Sequence, residues 1–250
     1  TRADDLQHDY YHAVSAQRIE AGFNAEGMPV AWLQRAAYPS IGSTFAAGAN
    51  QPAGFELSMG FHNNPIRVAA MRTEAGQAAA HVRIGWLRSV ANIQHAFAVS
   101  SFADEVAHAG GQDPFQAWTK MLLGSDPKGP SKHNRRLLKV SAAAIAASDW
   151  HTKRKRGHGL GFAAHHSFDA YVAVVIEVDI STAGQIRIPR VDLAADVGTI
   201  VHPDRVRAQM EGAVNFGLSQ ALFGQISAKN GAIVENNFDG FRLMRLSEAP

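Results

Sequence analysis

The segment Tyr171-Val172-Ala173-Val174-Val175-Ile176-Glu177-Val178 is a continuous run of mostly apolar, β-branched residues. Such a run predicts a strand that is covered on both faces. Beyond a turn at Thr182-Ala183-Gly184, residues 185–193 alternate between polar and apolar and predict a second strand. Pro189 lies in this second strand and requires an edge position or a bulge. The two segments together predict a β-hairpin.

A long helix is predicted after this hairpin. Pro203 suits the first helical position, Asp204 complements the positive end of the helix dipole, and the helix should continue to about Phe223. Gly212 and Gly217 lie inside it, and each costs about 1 kcal/mol relative to alanine. We therefore expect another backbone or a ligand to approach the helix closely. A last strand-turn-strand is predicted at 228–238.

The first part of the chain predicts a hairpin followed by a long loop. The hairpin spans about 17–37, with turn residues at Asn24–Gly27. Residues 39–64 are rich in Gly, Pro, Ser and Asn, and a loop of this length is usually functional or poorly ordered. Short strands are expected at 66–72 and 81–87.

Three helices are predicted in the middle of the chain. The first runs from an Asn92 N-cap to Ala109, stops at Gly110-Gly111 and should be buried on most sides. The second begins at Asp113-Pro114 and ends near Leu123, and the third spans 134–150. The basic, then glycine-rich segment 151–159 is expected to divide the chain. We therefore predict an α+β fold of two lobes, residues 1–150 and 151–250.

Composition narrows the classes of function. The 250 residues are 46% hydrophobic, enough for a substantial core. The formal net charge of +2 does not indicate nucleic-acid binding, and the absence of cysteine excludes disulfides and thiolate ligands from these residues. The longest wholly apolar stretches, 142–147 and 172–176, fall far short of the roughly 20 residues of a membrane helix.

Short motifs alone do not reveal a reaction. His8 and His12 have helical metal-ligand spacing without a third ligand, and the neighbours His165 and His166 should point different ways. The segment 157–161 lacks the strand, third glycine and helix of a dinucleotide-binding loop. The basic run 153–156 is more often a solvated connector, and no Gly-x-Ser-x-Gly elbow supports serine hydrolysis.

Many stretches in order nevertheless resemble one family, the molybdenum-binding large subunits of the xanthine oxidase and aldehyde oxidase family. The type is that of isoquinoline 1-oxidoreductase beta subunits and membrane-bound aldehyde dehydrogenases. The matching stretches of the first half are Thr1-Arg2-Ala3-Asp4-Asp5, Gly85-Trp86-Leu87-Arg88-Ser89-Val90, Asp104-Glu105-Val106-Ala107 and Gly111-Gln112-Asp113-Pro114. Those of the second half are Asp196-Val197-Gly198, His202-Pro203-Asp204, Gln209-Met210-Glu211-Gly212, Phe216-Gly217-Leu218 and Asn237-Phe238-Asp239-Gly240.

The resemblance assigns roles to five residues. It implies that Gln209 lies against a molybdenum-pterin cofactor and that Gly212 leaves room for its approach. Arg88, Ser89 and Val90 would pack around cofactor and substrate, with Val90 standing where the xanthine oxidase branch has a bulky aromatic. The resemblance gives this chain no metal ligand and no catalytic residue, because the family's base is a glutamate in a Gly-x-Gly-Glu segment that the sequence lacks.

The resemblance also implies partners. The expected cofactor is molybdenum-molybdopterin in its cytosine dinucleotide form, the substrate an aldehyde or N-heteroaromatic compound, and water the oxygen source. Electrons would leave through a small [2Fe-2S] subunit, with a c-type cytochrome as a further partner, in the periplasm or at the inner membrane of a bacterium. The chain is expected to be an internal fragment that is inactive alone. The alternative is a non-catalytic binding or scaffold module with the same fold.

The sequence departs from the family pattern in three places. Val197 replaces a usual cysteine, and His202 replaces a usual asparagine. The segment 61–67 has the order of its asparagine and proline altered. These differences leave the shape of the pocket open.

Overall fold

Two three-stranded sheets and four helices of ten or more residues make up most of the chain in a computed structural model, which describes all 250 residues. The helices, in chain order, are α1 (Arg2–His8), α2 (Gly54–Leu57), α3 (Asn92–Ala109), α4 (Pro114–Leu123), α5 (Lys132–Ala147) and α6 (Pro203–Leu222). The strands are β1 (Ala16–Phe23), β2 (Pro29–Ala37), β3 (Ala70–Gly76), β4 (His158–Ser167), β5 (Ala170–Ile180), β6 (Ile186–Asp196), β7 (Ala228–Lys229) and β8 (Ala232–Ile233). The predicted α+β class is confirmed.

The first sheet has the order β1-β2-β3. β1 and β2 form the predicted antiparallel hairpin, whereas β3 pairs with β2 in parallel. The strand predicted at 66–72 lies later, at Ala70–Gly76, because Ile66 and Val68 pack into the core outside the strand. The strand predicted at 81–87 is wrong, since that segment makes only an isolated bridge from Ile84 to Tyr11.

The second sheet is fully antiparallel and has the order β4-β5-β6. The predicted hairpin of β5 and β6 is present, and its register shifts between Glu177 and Asp179, opposite the part of edge strand β6 that contains Pro189. Coverage of β5 is uneven: Tyr171 and Val175 are buried in the core, while the opposite face is only half-buried. Strand β4 was missed, because its glycine-rich start looks like a loop until it pairs with β5.

The predicted helices of the middle region are present with small differences. α3 begins and ends where expected, but Ala91 occupies the N-cap and the Asn92 side chain instead donates to the carbonyl of Ser89. α3 is also less covered than predicted, since Phe97 is 75% exposed. Asp113 caps α4 as predicted, and α5 begins slightly earlier and ends slightly earlier than expected.

One hydrophobic core joins α3, α4 and α5 to both sheets. Its largest buried members are Trp32, Trp118, Met121, Leu122, Leu137 and Tyr171. Residues from both sides of position 150 share this core, and the division into two lobes stays a prediction. No helix of the chain combines the length and the apolar character needed to cross a membrane.

The loop between β2 and β3 is held by a buried carboxylate. Glu56, 1% exposed, accepts hydrogen bonds from Ser40 Oγ at 2.7 Å, from Ile41 N at 3.0 Å and from Ala53 N at 2.7 Å. These bonds tie the start of the loop to its middle. The segment 39–64, expected to be functional or poorly ordered, therefore contains a specific polar anchor.

Helix α6 has the predicted bounds but not the predicted covering. Pro203 is its first residue and His202 caps it. Only Leu218 and Ser219 are buried, and a Cβ added at Gly212 or Gly217 would meet no atom within 4 Å. The close approach expected at these glycines is thus not made by the chain itself.

Candidate functional site

The arginine loop, Leu87–Val90, has an unusual backbone. Ser89 and Val90 adopt φ values of 65° and 50°, in the left-handed region. This region is rare for residues other than glycine, and for a β-branched residue such as Val90 it is a true outlier. Each such residue costs on the order of 1–3 kcal/mol, so the surrounding structure must hold the loop in place.

Strand β4 and helix α3 supply that support. Asn92 Nδ2 donates to the carbonyl of Ser89 at 3.0 Å, and Asn92 Oδ1 lies 2.9 Å from His165 Nε2. Ser167 Oγ donates to Ser89 Oγ at 2.8 Å. Two residues of β4 are therefore connected to Ser89, one through Asn92 and one directly.

A groove opens beside the arginine loop. Its volume is about 610 Å³, within the range of small-molecule sites. We call it the hairpin groove, because the turn between β4 and β5 forms one wall. It is lined by Ser89, His165, Ser167, Phe168, Asp169, Ala170, Val172 and Val197. The arginine loop and the Asp196–Gly198 segment, both singled out from the sequence, meet in this groove.

Arg88 points the loop towards helix α6. Its guanidinium carbon lies 5.6 Å from the centre of the Phe216 ring, a cation–π contact. Phe216 follows Gln209 by seven residues and Gly212 by four, so the three share one face of α6. Gln209 and Gly212 are exposed, and no hydrogen bond engages the Gln209 side chain. The structure thus brings Arg88 to the helix face that carries Gln209 and Gly212, and leaves those two residues free.

The Asp196 carboxylate shapes the other side of the hairpin groove. Arg136 donates to both its oxygens at 2.7 Å, and Gly198 N donates to Oδ1 at 3.2 Å. The hydrogen bonds from Arg136 lower the pKa of Asp196 to about 2. The segment that carries Val197 into the groove is therefore anchored by an ionised carboxylate.

Histidines line a small cavity beneath the groove. The cavity, about 20 Å³, has room for one water and is bounded in part by His133, His165 and His166. His166 stacks on the ring of Tyr171, while His165 bonds to Asn92, so the two neighbours have different partners, as expected. Burial, with the nearby charges of His166 and His95, lowers the pKa of His165 to about 4.

The connection from His165 to the arginine loop was missed by sequence reasoning, which treated His165 as an ordinary polar residue. The two positions are 76 residues apart, counted from Ser89 to His165, and no local pattern links them. Only the packing of β4 beside the start of α3 brings them together.

Two groups have metal-like composition. His158, Glu177 and Asp179 place their ligand atoms within 4.8 Å of one another, but Arg154 Nε lies 3.7 Å from Glu177 Oε1 and supplies positive charge there. Ion pairs therefore account for this cluster. His8 ends α1, and His12 lies beyond it with Nε2 3.4 Å from the carbonyl of Val90, so the two do not share a helix face.

Comparison with known proteins identifies the family. The model of the molybdopterin cofactor-binding domain matches residues 66–250, and the chain belongs to this family. The predicted resemblance to molybdenum-binding subunits of the xanthine oxidase family is thereby confirmed.

Several relatives are similar over most of the chain. A membrane-bound aldehyde dehydrogenase (pyrroloquinoline-quinone) of Gluconacetobacter polyoxogenes is 29% identical, over 100% of this chain and 35% of the relative. A nicotinate dehydrogenase subunit of Pseudomonas putida is 28% identical, over 93% and 21%, and the beta subunit of isoquinoline 1-oxidoreductase of Brevundimonas diminuta 27%, over 100% and 32%. The chain spans about a third or less of the length of these relatives.

A solved structure has the same fold. Quinoline 2-oxidoreductase from Pseudomonas putida 86 superposes with a TM-score of 0.75 at 10% identity, over 100% of this chain and 56% of that chain. At this identity the likeness concerns the fold alone.

The residues present fit a bound pterin group. The Gln209 amide offers both a donor and an acceptor, which a heterocycle with ring nitrogens and carbonyls requires. It is exposed and unpaired, and the space beside Gly212 is open where a side chain would fill it. The chain thus offers polar atoms and room on one helix face.

Proposed function

We propose that this chain forms part of the cofactor and substrate site of a molybdenum-dependent oxidoreductase, which oxidises an aldehyde or an N-heteroaromatic compound with oxygen derived from water. The contact of Arg88 with the open face of α6 carries this proposal, because it joins the two segments to which the family resemblance gives cofactor contacts. The names of the relatives, which include aldehyde, nicotinate and isoquinoline oxidoreductases, support the two substrate classes.

The chain's residues would bind and orient. When bound, the molybdenum-pterin group supplies the two-electron redox chemistry. Gln209 would hydrogen-bond the pterin edge, and Gly212 would let it approach the helix backbone. The Arg88 guanidinium carries five donors and a fixed positive charge, suited to orient a carbonyl oxygen or a ring nitrogen of the substrate. The hairpin groove would take the apolar part of the substrate and exclude water from it.

The finer features of the assembly are proposals that follow from the resemblance. The cofactor would be the cytosine dinucleotide form of molybdopterin, and a small [2Fe-2S] subunit and a c-type cytochrome would accept the electrons. The name of one relative contains pyrroloquinoline quinone, whereas the matching family is defined by molybdopterin, and we follow the family. The general base would come from residues outside these 250, in a bacterial periplasmic or membrane-associated enzyme.

Cofactor retention tests the proposal directly. The full chain is expressed in a host that makes molybdopterin cytosine dinucleotide, and molybdenum and oxidised pterin are measured per purified chain. We expect substoichiometric but measurable pterin, and a several-fold lower amount in the Gln209→Ala and Gly212→Ala variants. Gly217→Ala is the matched control: it lies on the same helix, is equally open, and is turned about 140° away from Gly212.

The outcomes separate the two classes of function. Pterin no higher than on an unrelated protein would contradict the proposal and favour the non-catalytic scaffold module. Equal loss in Gly212→Ala and Gly217→Ala would mean that general helix effects, rather than a binding face, control retention. Oxidation of aldehyde or quinoline by the 250-residue chain alone would contradict the placement of the base outside it.

A further inference from the structure

The hydrogen bonds that connect β4 to the arginine loop have a defined direction. Asn92 Nδ2 donates to the carbonyl of Ser89, so Asn92 Oδ1 is the atom that faces His165 and must accept. His165 Nε2 therefore carries the proton and donates at 2.9 Å. The order is fixed from β4 to the loop: His165 donates to Asn92, and Asn92 donates to Ser89.

This arrangement acts on the most strained part of the chain. The turn's own bonds, from Val90 N to Leu87 O and from Asn92 N to Ser89 O, are ordinary backbone bonds at 2.9 Å. A typical hydrogen bond contributes only about 0.5–1.5 kcal/mol, whereas two left-handed residues cost on the order of 2–6 kcal/mol together. The bonds from β4 therefore matter for keeping Ser89 and Val90 in their observed conformation.

The position of His165 suits a fixed anchor. It lines the hairpin groove on one side and the small histidine cavity on the other. Asn92 is 3% exposed, so its amide has no access to water as an alternative partner. The imidazole lies against Gly60, where an added Cβ would come within 2.9 Å of His165 Cε1. The ring is thus confined, and its donor nitrogen is directed at Asn92.

We propose that His165, acting through Asn92, is a positioning residue that holds the arginine loop in its left-handed conformation, with Ser167 as a second anchor through Ser89 Oγ. The consequence for catalysis rests on the proposed function: in that site, the loop presents Arg88 to α6 and Ser89 to the hairpin groove. His165 touches neither cofactor nor substrate in this role.

Native-state proteolysis of the full chain measures the loop directly. Trypsin cleaves the Arg88–Ser89 bond only when the loop opens to an extended conformation, and the rate follows the population of the open form. Cleavage after Arg156, in the exposed 151–157 segment, normalises for enzyme activity. His165→Met removes the donor and keeps much of the volume, whereas His165→Gln keeps an amide donor near the position of Nε2.

We expect His165→Met to raise the normalised cleavage at Arg88–Ser89 about tenfold, which corresponds to about 1.4 kcal/mol of opening free energy. His165→Gln should restore the rate to within about threefold of the wild type, and Ser167→Ala should give a smaller increase than His165→Met. His166→Met is the matched control, since it replaces the neighbouring histidine that has no bond to Asn92. Its normalised rate should stay at the wild-type level.

Three results would overturn the assignment: a folded His165→Met with the wild-type rate, equal rates in the Met and Gln variants, or an equal increase in His166→Met. If His165→Met fails to fold, Asn92→Asp replaces it, because aspartate still accepts from His165 but cannot donate to Ser89. The wild-type rate in that variant would likewise refute the proposal. No cofactor is needed, so this experiment can fail while the proposed function holds, and the reverse.

Discussion

Replacement of Glu56 should destabilise the fold far more than replacement of an exposed carboxylate. Glu56→Ala would leave three donors, Ser40 Oγ, Ile41 N and Ala53 N, without an acceptor. A buried donor without a partner costs about 1–3 kcal/mol, and removal of one partner from a buried charged network costs about 3–5 kcal/mol. Because partial relaxation and entry of water reduce the sum, we expect a loss of about 3–5 kcal/mol.

Urea unfolding followed by tryptophan fluorescence measures this loss. With a slope of about 3 kcal/mol per molar urea, the midpoint should fall by about 1–1.7 M. Glu56→Gln retains one acceptor oxygen and should lose about 1–2 kcal/mol. Glu105→Ala is the control, because Glu105 is exposed on α3 and should change stability by less than about 0.5 kcal/mol. A Glu56→Ala midpoint equal to that of the control would refute the role of Glu56 as an anchor.

Two further predictions concern pH and packing. Because burial lowers the pKa of His165 from 6.5 to about 4, the unfolded chain takes up this proton first as the pH falls, and the stabilisation is lost between pH 6.5 and 4. The loss should reach about 3 kcal/mol, and pH-dependent urea unfolding of His165→Gln should show a flatter slope; identical slopes would contradict it. Gly110→Ala would force its Cβ into the carbonyl oxygen of Gly27, which should cost about 1–3 kcal/mol. Gly159→Ala, whose Cβ would meet nothing within 4 Å, should be neutral in the same assay, and equal midpoints would count against the close contact.

The sequence predicted best the elements whose periodicity and end signals agree. α6 has Pro203 at its start and β5 is a β-branched run, so local pattern and tertiary environment favour the same structure. β4 was missed because its glycine-rich start has low strand propensity and becomes a strand only by pairing with β5. β3 was misplaced because the apolar Ile66 and Val68 pack into the core without belonging to a strand.

The candidate site was predictable only as separate segments. The resemblance selected Arg88, Ser89, Val90, Gln209 and Gly212, and their roles towards a cofactor stay predictions. The left-handed backbone at Ser89 and Val90 has no signal in residue types that usually avoid it. The contact of Arg88 with Phe216 joins residues 128 positions apart, counted from 88 to 216, and depends on the whole fold. Spacing along the chain carries no information about such contacts.

The strained loop and the open helix face are best explained together. Gly212 and Gly217 cost α6 about 2 kcal/mol in total relative to alanine, and no neighbour of the chain uses the space that they leave. Ser89 and Val90 add the cost of left-handed backbone, and hydrogen bonds from β4 maintain it. Neither cost improves the packing of these 250 residues. Since Arg88 connects the two features by its contact with Phe216, a ligand bound between the loop and α6 gives both a single physical reason.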